Sequence, residues 1–374
     1  MRRFTLLLAV VGALAAAAVL AWRWWTAAPL APADALAAAA SRSPVVAKGV
    51  LVVADPVRTL RWAARHPQAV ALLRLAAPHA DLAAPRMRGA AAALAAGALG
   101  PLVLWWRGGD LAASAEVDGG SARALRQVAE TQGVAIRSEL TPTGTVHVAL
   151  ASSPDLLESS GGSGPSVAGV GQLSALARVG DRWWQVRAGR STLEATSGSP
   201  PELPGASDPA VVTTADIGAL AAAVAPVQWV PHGPACLVLE GGGWGVALPA
   251  TTLSWDVRRL LSLGGDTAIE TPTGAHHWRG LLGDLWVLPG PGLAVASRPD
   301  LLGRLPRGPI AGESGAVRGT ELARLVRRFA EAADRVPGNA GVVAGLRRAV
   351  PVLEALRRVR WRLLPQGGRI LLEW

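Results

Sequence analysis

A nine-residue pattern that occurs twice constrains the fold more than any other feature of this chain. Residues 149–157 and 294–302 are identical at seven of nine positions, and each carries Ser-x-Pro-Asp after an apolar stretch. Because further matches are collinear with this one, the sequence predicts two tandem, diverged copies of one structural unit. The weaker matches pair 54–55 with 215–216, 102–104 with 237–239, 172–176 with 321–325, and 189–194 with 368–373.

Each copy is predicted to contain antiparallel strands with flanking helices. In the first copy, segments 50–54, 102–106 and 111–117 have the composition of strands, and a glycine-containing turn separates the last two. Residues 121–132 have the apolar spacing of an amphipathic helix, and a second helix is predicted near Leu173. Strands joined by tight turns pair antiparallel, so we expect an α+β fold for both copies.

The N-terminal residues predict a transmembrane helix. Residues 4–22 carry no charge over nineteen positions, and a helix of that length spans about 28 Å, close to the hydrocarbon thickness of a bilayer. Arg2 and Arg3 precede the segment and outweigh Arg23 after it, which places the N-terminus in the cytoplasm. The alternative is a cleaved signal peptide, for which Ala-Pro-Ala at 31–33 offers a cleavage site.

A second uncharged segment, 89–106, is predicted to be part of the folded region. It contains Gly97, Gly100 and Pro101, which fit the end of a helix followed by a strand better than one continuous helix. The predicted fold class is therefore α+β, with an N-terminal transmembrane helix followed by two tandem diverged repeats of antiparallel strands with flanking helices.

This organisation predicts a single-pass protein of the bacterial inner membrane, with the N-terminus in the cytoplasm and the C-terminal region periplasmic or extracellular. The predicted segments are a cytoplasmic tip and signal anchor at 1–25, an Ala/Pro linker at 26–47, repeat unit 1 at 48–198, a linker at 199–209, and repeat unit 2 at 210–374 with a helical insertion at about 326–358.

The Ser-x-Pro-Asp motif is interpreted as a helix start. Ser152 and Ser297 are predicted N-caps, with Asp155 and Asp300 three residues later at the positive end of the helix. This reading explains the serine, the proline and the acid together. The alternative is a pair of pseudo-symmetric catalytic carboxylates.

No catalytic, cofactor or metal site is predicted. The adjacent His276 and His277 would point to opposite faces of a strand, and no His-Glu-x-x-His motif is present. The glycine-rich segment 161–165 has the wrong spacing for a nucleophile elbow, and 241–245 is predicted to be a turn because it lacks the lysine of a P-loop. Cys236 is the single cysteine, which excludes an intramolecular disulfide.

The charge of the chain points to anionic partners. The formal net charge is +10, and the segment 321–374 alone holds eleven arginines against five acids. Arg347, Glu354 and Arg358 would fall on one helical face, and Arg347, Arg348, Arg357 and Arg358 are the candidate contacts for an anionic lipid or polymer, since guanidinium groups bind phosphate and carboxylate in a bidentate manner. The sequence nevertheless favours a solvated surface, because the composition uses arginine almost to the exclusion of lysine, and anion binding is the alternative.

Residues 149–157 and 294–302, with an apolar strand running into Ser-x-Pro-Asp, resemble an uncharacterised family of bacterial membrane-anchored repeat proteins, a domain of unknown function. The resemblance implies no activity. The sequence therefore favours a membrane-anchored, non-catalytic scaffold or assembly protein of the envelope, whose partners are the membrane and other envelope proteins rather than nucleic acid. The alternatives are a binding module for an anionic lipid or polymer, and a hydrolase with an unrecognised site.

Overall fold

Antiparallel β-strands dominate the part of the chain that the structure, a computed structural model, describes. The chain divides into two units between Ser197 and Gly198, and each is described by itself. The described residues are 30–44, 47–67, 85–107, 109–158, 171–179, 181–205, 210–216, 233–248, 269–270, 275–280, 283–289, 292–305, 312–334 and 340–374.

The first unit is built around one antiparallel sheet. Its strands are β1 (Ala31–Pro32), β2 (Gly49–Val53), β3 (Leu102–Arg107), β4 (Asp110–Val117), β5 (Ala135–Leu140), β6 (Val146–Ala151), β7 (Gln172–Leu173), β8 (Ala175–Val179), β9 (Arg182–Ala188) and β10 (Thr192–Gly198). Its helices are α1 (Ala33–Ala40), α2 (Pro56–Arg65), α3 (Pro85–Gly97), α4 (Gly119–Gln132) and α5 (Asp155–Glu158). The strand order is β5-β6-β4-β3-β2-β8-β9-β10, and β1 pairs separately with β7.

Local sequence signals explain where α4 begins and ends. Asp118 is the N-cap, and its carboxylate accepts hydrogen bonds from the backbone N–H groups of Gly120 and Ser121. The hydroxyl of Ser121 also donates to this carboxylate, and these bonds lower the pKa of Asp118. Gly133 ends the helix with a φ of 65°, a left-handed conformation that glycine adopts without strain.

Helices cover both faces of the first sheet. On one face, Val50, Val52 and Trp105 pack in a buried cluster with Leu36 of α1 and Leu156 of α5; we call this the α1 face. The opposite face packs against α3 and α4 in a second cluster and is called the α4 face. Residues 33–40 belong to the segment that the sequence assigns to a linker, whereas the structure shows them as α1, with Leu36 fully buried.

Among the described residues, the sheet of the second unit has ten strands, against eight in the sheet of the first. Its strands are β11 (Ala210–Thr214), β12 (Ala235–Glu240), β13 (Gly243–Leu248), β14 (Ile269–Glu270), β15 (His276–Gly280), β16 (Gly283–Pro289), β17 (Leu293–Ala296), β18 (Glu313–Val317), β19 (Arg358–Leu364) and β20 (Gly367–Glu373). Its helices are α6 (Pro299–Leu302), α7 (Gly319–Asp334) and α8 (Ala340–Glu354). The strand order is β14-β15-β16-β17-β13-β12-β11-β18-β19-β20.

The two units share one strand order. The series β5-β6-β4-β3-β2-β8-β9-β10 of the first unit corresponds to β16-β17-β13-β12-β11-β18-β19-β20 of the second. The register corrects three details of the sequence alignment. One is the match of 189–194 with 368–373, because 189–191 lie in the turn between β9 and β10 whereas 368–373 belong to β20. Val53 pairs with Leu102 and Thr214 pairs with Ala235, so 102–104 corresponds to 235–237. The match of 172–176 with 321–325 is wrong, because Ala175–Val179 is a strand and 321–325 lies in a helix.

The predicted helix near Leu173 is also wrong. Residues 172–173 form β7, and 175–179 form β8, which pairs with β2 over five residues. Leu176 is buried on the α1 face, so packing on the sheet decides a segment whose apolar pattern is too short to distinguish a helix from a strand.

The fold class and the membrane location predicted from the sequence require correction. The described residues are predominantly antiparallel sheet, with helices as covering elements. Every helix within the described ranges falls short of the length and apolar content that spanning a bilayer requires. This finding contradicts the predicted transmembrane signal anchor and single-pass inner-membrane location; the segment concerned, 4–22, lies outside the described residues. In the apolar segment 89–106, α3 ends at Gly97 and β3 begins at Leu102, as the sequence predicted.

The packing of α1 makes a prediction about stability. Leu36→Ala removes a fully buried side chain from the α1 face, and we expect the free energy of unfolding to fall by about 3 kcal/mol. Leu60→Ala, at a 60% exposed leucine of α2, is the matched control and should change it by less than about 0.5 kcal/mol. Chemical denaturation measures both. Equal effects would show that α1 is not packed as described.

Candidate functional site

The serines of the repeated motif, Ser152 and Ser297, each form hydrogen bonds to a neighbouring strand of their own sheet. Ser152 Oγ accepts from the backbone N–H of Leu111 at 3.1 Å, and the backbone N–H of Ser152 donates to the Leu111 carbonyl at 2.9 Å. Ser297 makes the same two bonds to Trp244, each at 2.8 Å. Each serine thus extends the ladder of β6 on β4, or of β17 on β13, by one residue. We call these contacts the serine bridges.

The serine bridges correct the predicted helix caps. The N-cap of α6 is Arg298, without a side-chain cap hydrogen bond, so the prediction for Ser297 is wrong because its hydroxyl bonds to the strand. Ser152 bonds to β4 in the same way. Asp155 is the first residue of α5, and Asp300 lies in the first turn of α6. The pKa of Asp300 is lowered, first by its hydrogen bond with Arg298.

Removal of a serine bridge should destabilise the fold. In Ser297→Ala or Ser152→Ala, the partner backbone N–H loses its acceptor, and we expect a loss of about 1–2 kcal/mol in the free energy of unfolding. Ser191→Ala, at an exposed position in the β9–β10 turn, should change it by less than about 0.5 kcal/mol. Urea denaturation of the three variants checks this. A bridge variant as stable as the control would contradict the structural role.

The four arginines predicted as anion contacts lie on two separate elements. Arg347 and Arg348 lie on α8, which ends at Glu354, whereas Arg358 begins β19 and Arg357 precedes it. The predicted helical face extending to Arg358 is therefore wrong. Arg357 lies just before the strand, so it does not belong to the alternating face that begins at Arg358.

Arg347 and Arg348 on α8 both bind partners within the chain. Arg347 Nη2 forms an ion pair with Asp334 Oδ2 at 2.8 Å, and Arg348 Nε donates to the carbonyl of Ala344 on its own helix at 3.2 Å. Arg347 therefore contributes little net charge to its surroundings.

A different set of arginines shares one face of the C-terminal hairpin. Arg358, Arg360 and Arg362 alternate along β19, and Arg369 lies directly opposite Arg362 on β20. The signal is visible in the sequence as Arg-Val-Arg-Trp-Arg, which has the period of a strand. We call these four residues the arginine stripe.

His277 and Cys236 lie in environments that suit a structural role. His277 lies on β15, stacks on Trp286 with ring centroids 4.5 Å apart, and places Nε2 3.3 Å from Asp284. Within the described ranges no cluster of three or more His, Cys, Asp or Glu residues could hold a metal ion. Burial raises the pKa of Cys236 to about 11, so its thiol stays protonated at neutral pH. The segment 241–245 begins with a two-glycine hairpin turn.

A row of polar side chains crosses the α1 face of the first unit. Glu116 on β4, His147 on β6 and Glu139 on β5 are direct cross-strand neighbours. Arg42 pairs with Glu116 at 2.7 Å, and Arg137 pairs with Glu139 at 2.5 Å. His147 Nε2 is buried and has no hydrogen-bond partner within the described residues. Burial, followed by the charge of Arg42, lowers the pKa of His147.

The lowered pKa of His147 predicts a loss of stability in acid. The fold favours the neutral ring, so this contribution is complete above the unfolded-state pKa of about 6.5 and is lost as the pH falls toward the lower folded-state value. We expect wild type to lose more unfolding free energy than His147→Gln between pH 7 and pH 5. Denaturation at the two pH values measures the difference. Identical losses would contradict a buried neutral His147.

Strand β5 forms an edge of the first sheet. Within the described residues it pairs only with β6. Leu140 at its end is 77% exposed, and Arg137 and Glu139 are more than half exposed. In the second unit, the corresponding strand β16 has an outer neighbour, since β15 pairs with it over five residues.

Comparisons with protein-family models, with curated proteins and with solved structures found no match for this chain. The resemblance noted at 149–157 and 294–302 therefore has no family model behind it. The β5 edge, the arginine stripe and the row formed by Glu116, His147 and Glu139 are the candidate functional features of the described residues.

Proposed function

We propose that the chain is a non-catalytic assembly scaffold, and that its first unit binds a second copy of the chain along strand β5. The observation that carries the proposal is the open edge of β5 with its exposed Leu140. A strand edge presents unpaired backbone N–H and C=O groups, which another strand can satisfy.

The sequence of β5 is complementary to itself. If two copies pair antiparallel about a two-fold axis at Ser138, Arg137 of each copy lies opposite Glu139 of the other. The same register places Ile136 opposite Leu140. Directly opposite charges and apolar pairs each contribute about 0.2–1 kcal/mol, and like charges destabilise the pairing. All five positions, Ile-Arg-Ser-Glu-Leu, therefore match in one register.

The equivalent strand of the second unit supports this proposal, because it has an outer neighbour. There β15 pairs with β16, from His276 opposite Val287 to Gly280 opposite Gly283. In the first unit the chain forms α4 between β4 and β5, and no described strand occupies the equivalent place. A second copy of β5 would complete the first sheet in the way that β15 extends the second.

Charge reversal tests the pairing directly. Arg137→Glu places a carboxylate opposite Glu139 of the second copy, and Glu139→Arg places a guanidinium group opposite Arg137 of the second copy. Each single variant should therefore associate at least about tenfold more weakly than wild type, which corresponds to about 1.4 kcal/mol. Analytical ultracentrifugation over a concentration series measures the dissociation constant.

Two further samples separate pairing from a general effect of charge. The double variant Arg137→Glu/Glu139→Arg restores opposite charges and should dimerise like wild type. An equimolar mixture of the two single variants should form a heterodimer, because both carboxylates of the first variant then face guanidinium groups of the second. A monomeric wild type, or single variants that dimerise as well as wild type, would contradict the proposal.

A further inference from the structure

We infer that the arginine stripe binds an extended polyanion that carries closely spaced phosphate groups, with the ligand lying along β19. This site is independent of the β5 edge. Of the four arginines that the sequence predicted as anion contacts, only Arg358 belongs to the arginine stripe.

The stripe has a regular geometry. Alternate residues of a strand lie about 7 Å apart on one face, so Arg358, Arg360 and Arg362 form a row of three cations. Arg369 widens the row at the Arg362 end, because the two residues are cross-strand partners. The row can engage several anionic groups of one linear ligand at the same time.

The charge of the stripe is only partly neutralised within the hairpin. Glu373 is the single acid among residues 358–373, and it is the cross-strand partner of Arg358. Arg360 Nη2 bonds to Glu373 Oε1 at 2.7 Å. The Arg360 side chain is 26% exposed, and its buried Nε has no hydrogen-bond partner within the described residues. Arg362 is exposed, and Arg358 is half-buried.

The fold itself does not require an arginine at position 360. The strand pairing makes Trp183 of the first unit equivalent to Arg360, since Ala177 pairs with Trp184 as Gly315 pairs with Trp361. Trp183 packs against the α1-face cluster. The second unit therefore carries a cation where the first carries an apolar side chain of the core.

The burial of the stripe favours a thin, linear ligand over a flat surface. A bilayer reaches only side chains that protrude, whereas Arg358 and Arg360 are half-buried in the sheet face. A flexible phosphate chain can follow the strand and contact each guanidinium in turn. Planar guanidinium groups bind phosphate oxygens in a bidentate manner, which suits this arrangement.

The test uses long-chain inorganic polyphosphate as the probe and isothermal titration calorimetry as the measurement. Arg358→Gln/Arg362→Gln should raise the dissociation constant at least about tenfold, because two groups that form charge-assisted hydrogen bonds with phosphate are lost. Arg347→Gln/Arg348→Gln removes the same charge from the exposed helix and is the matched control, with an expected change below about twofold.

Several results would overturn the inference. These are no binding of polyphosphate by wild type, equal weakening in both double variants, and a stripe variant that loses binding to phosphatidylglycerol vesicles while keeping polyphosphate. Arg362→Gln alone, at an exposed side chain, guards against misfolding and should weaken binding in the same direction with an unchanged melting temperature. Arg137→Glu should bind polyphosphate like wild type, so this test and that of self-association fail separately.

Discussion

Backbone pairing of a central strand is the constraint on which each unit depends. Strand β2 pairs over all five residues with β3 on one side and with β8 on the other, and Val50 and Val52 are fully buried on the α1 face. A strand with both edges and both faces covered needs helices above and below the sheet. It also needs further strands on either side, so the sheet grows outward until it reaches strands whose outer backbone groups remain open.

The two units differ more at the edges of their sheets than in their cores. The serine bridges repeat in both, Leu156 and Leu301 occupy equivalent buried places, and the strand order is the same. The second unit adds β15 outside β16, whereas the first leaves β5 as the last described strand on that side. The second unit also carries Arg360 on β19 where the first has Trp183, which packs against the α1-face cluster. Both proposed interaction sites, the β5 edge and the arginine stripe, lie where the two units differ.

The sequence predicted elements well where local signals were strong. The strands at 102–106 and 111–117 and the helix at 121–132 are observed within two residues of their predicted bounds. It failed where tertiary context decides. A serine after a strand and a serine before a helix look alike in sequence, so the partner of Ser297 was open to either reading. A helical spacing from Arg347 reaches Arg358, but the alternation from 358 to 362 has the period of a strand, and these residues form β19. The openness of β5 depends on which strands pair, which no local pattern reveals.

The most direct test of the central claim is a disulfide at the proposed two-fold axis. Opposed residues of antiparallel strands have Cα atoms about 4.5–5.5 Å apart, which a disulfide can bridge. Ser138→Cys should therefore form a covalent dimer under mild oxidation, seen on a non-reducing gel. Cys236 is fully buried and should not compete. Thr143→Cys, at an exposed turn position, is the control. Rapid cross-linking through position 138 alone would support pairing of β5 with itself, whereas equal or absent cross-linking at both positions would contradict it.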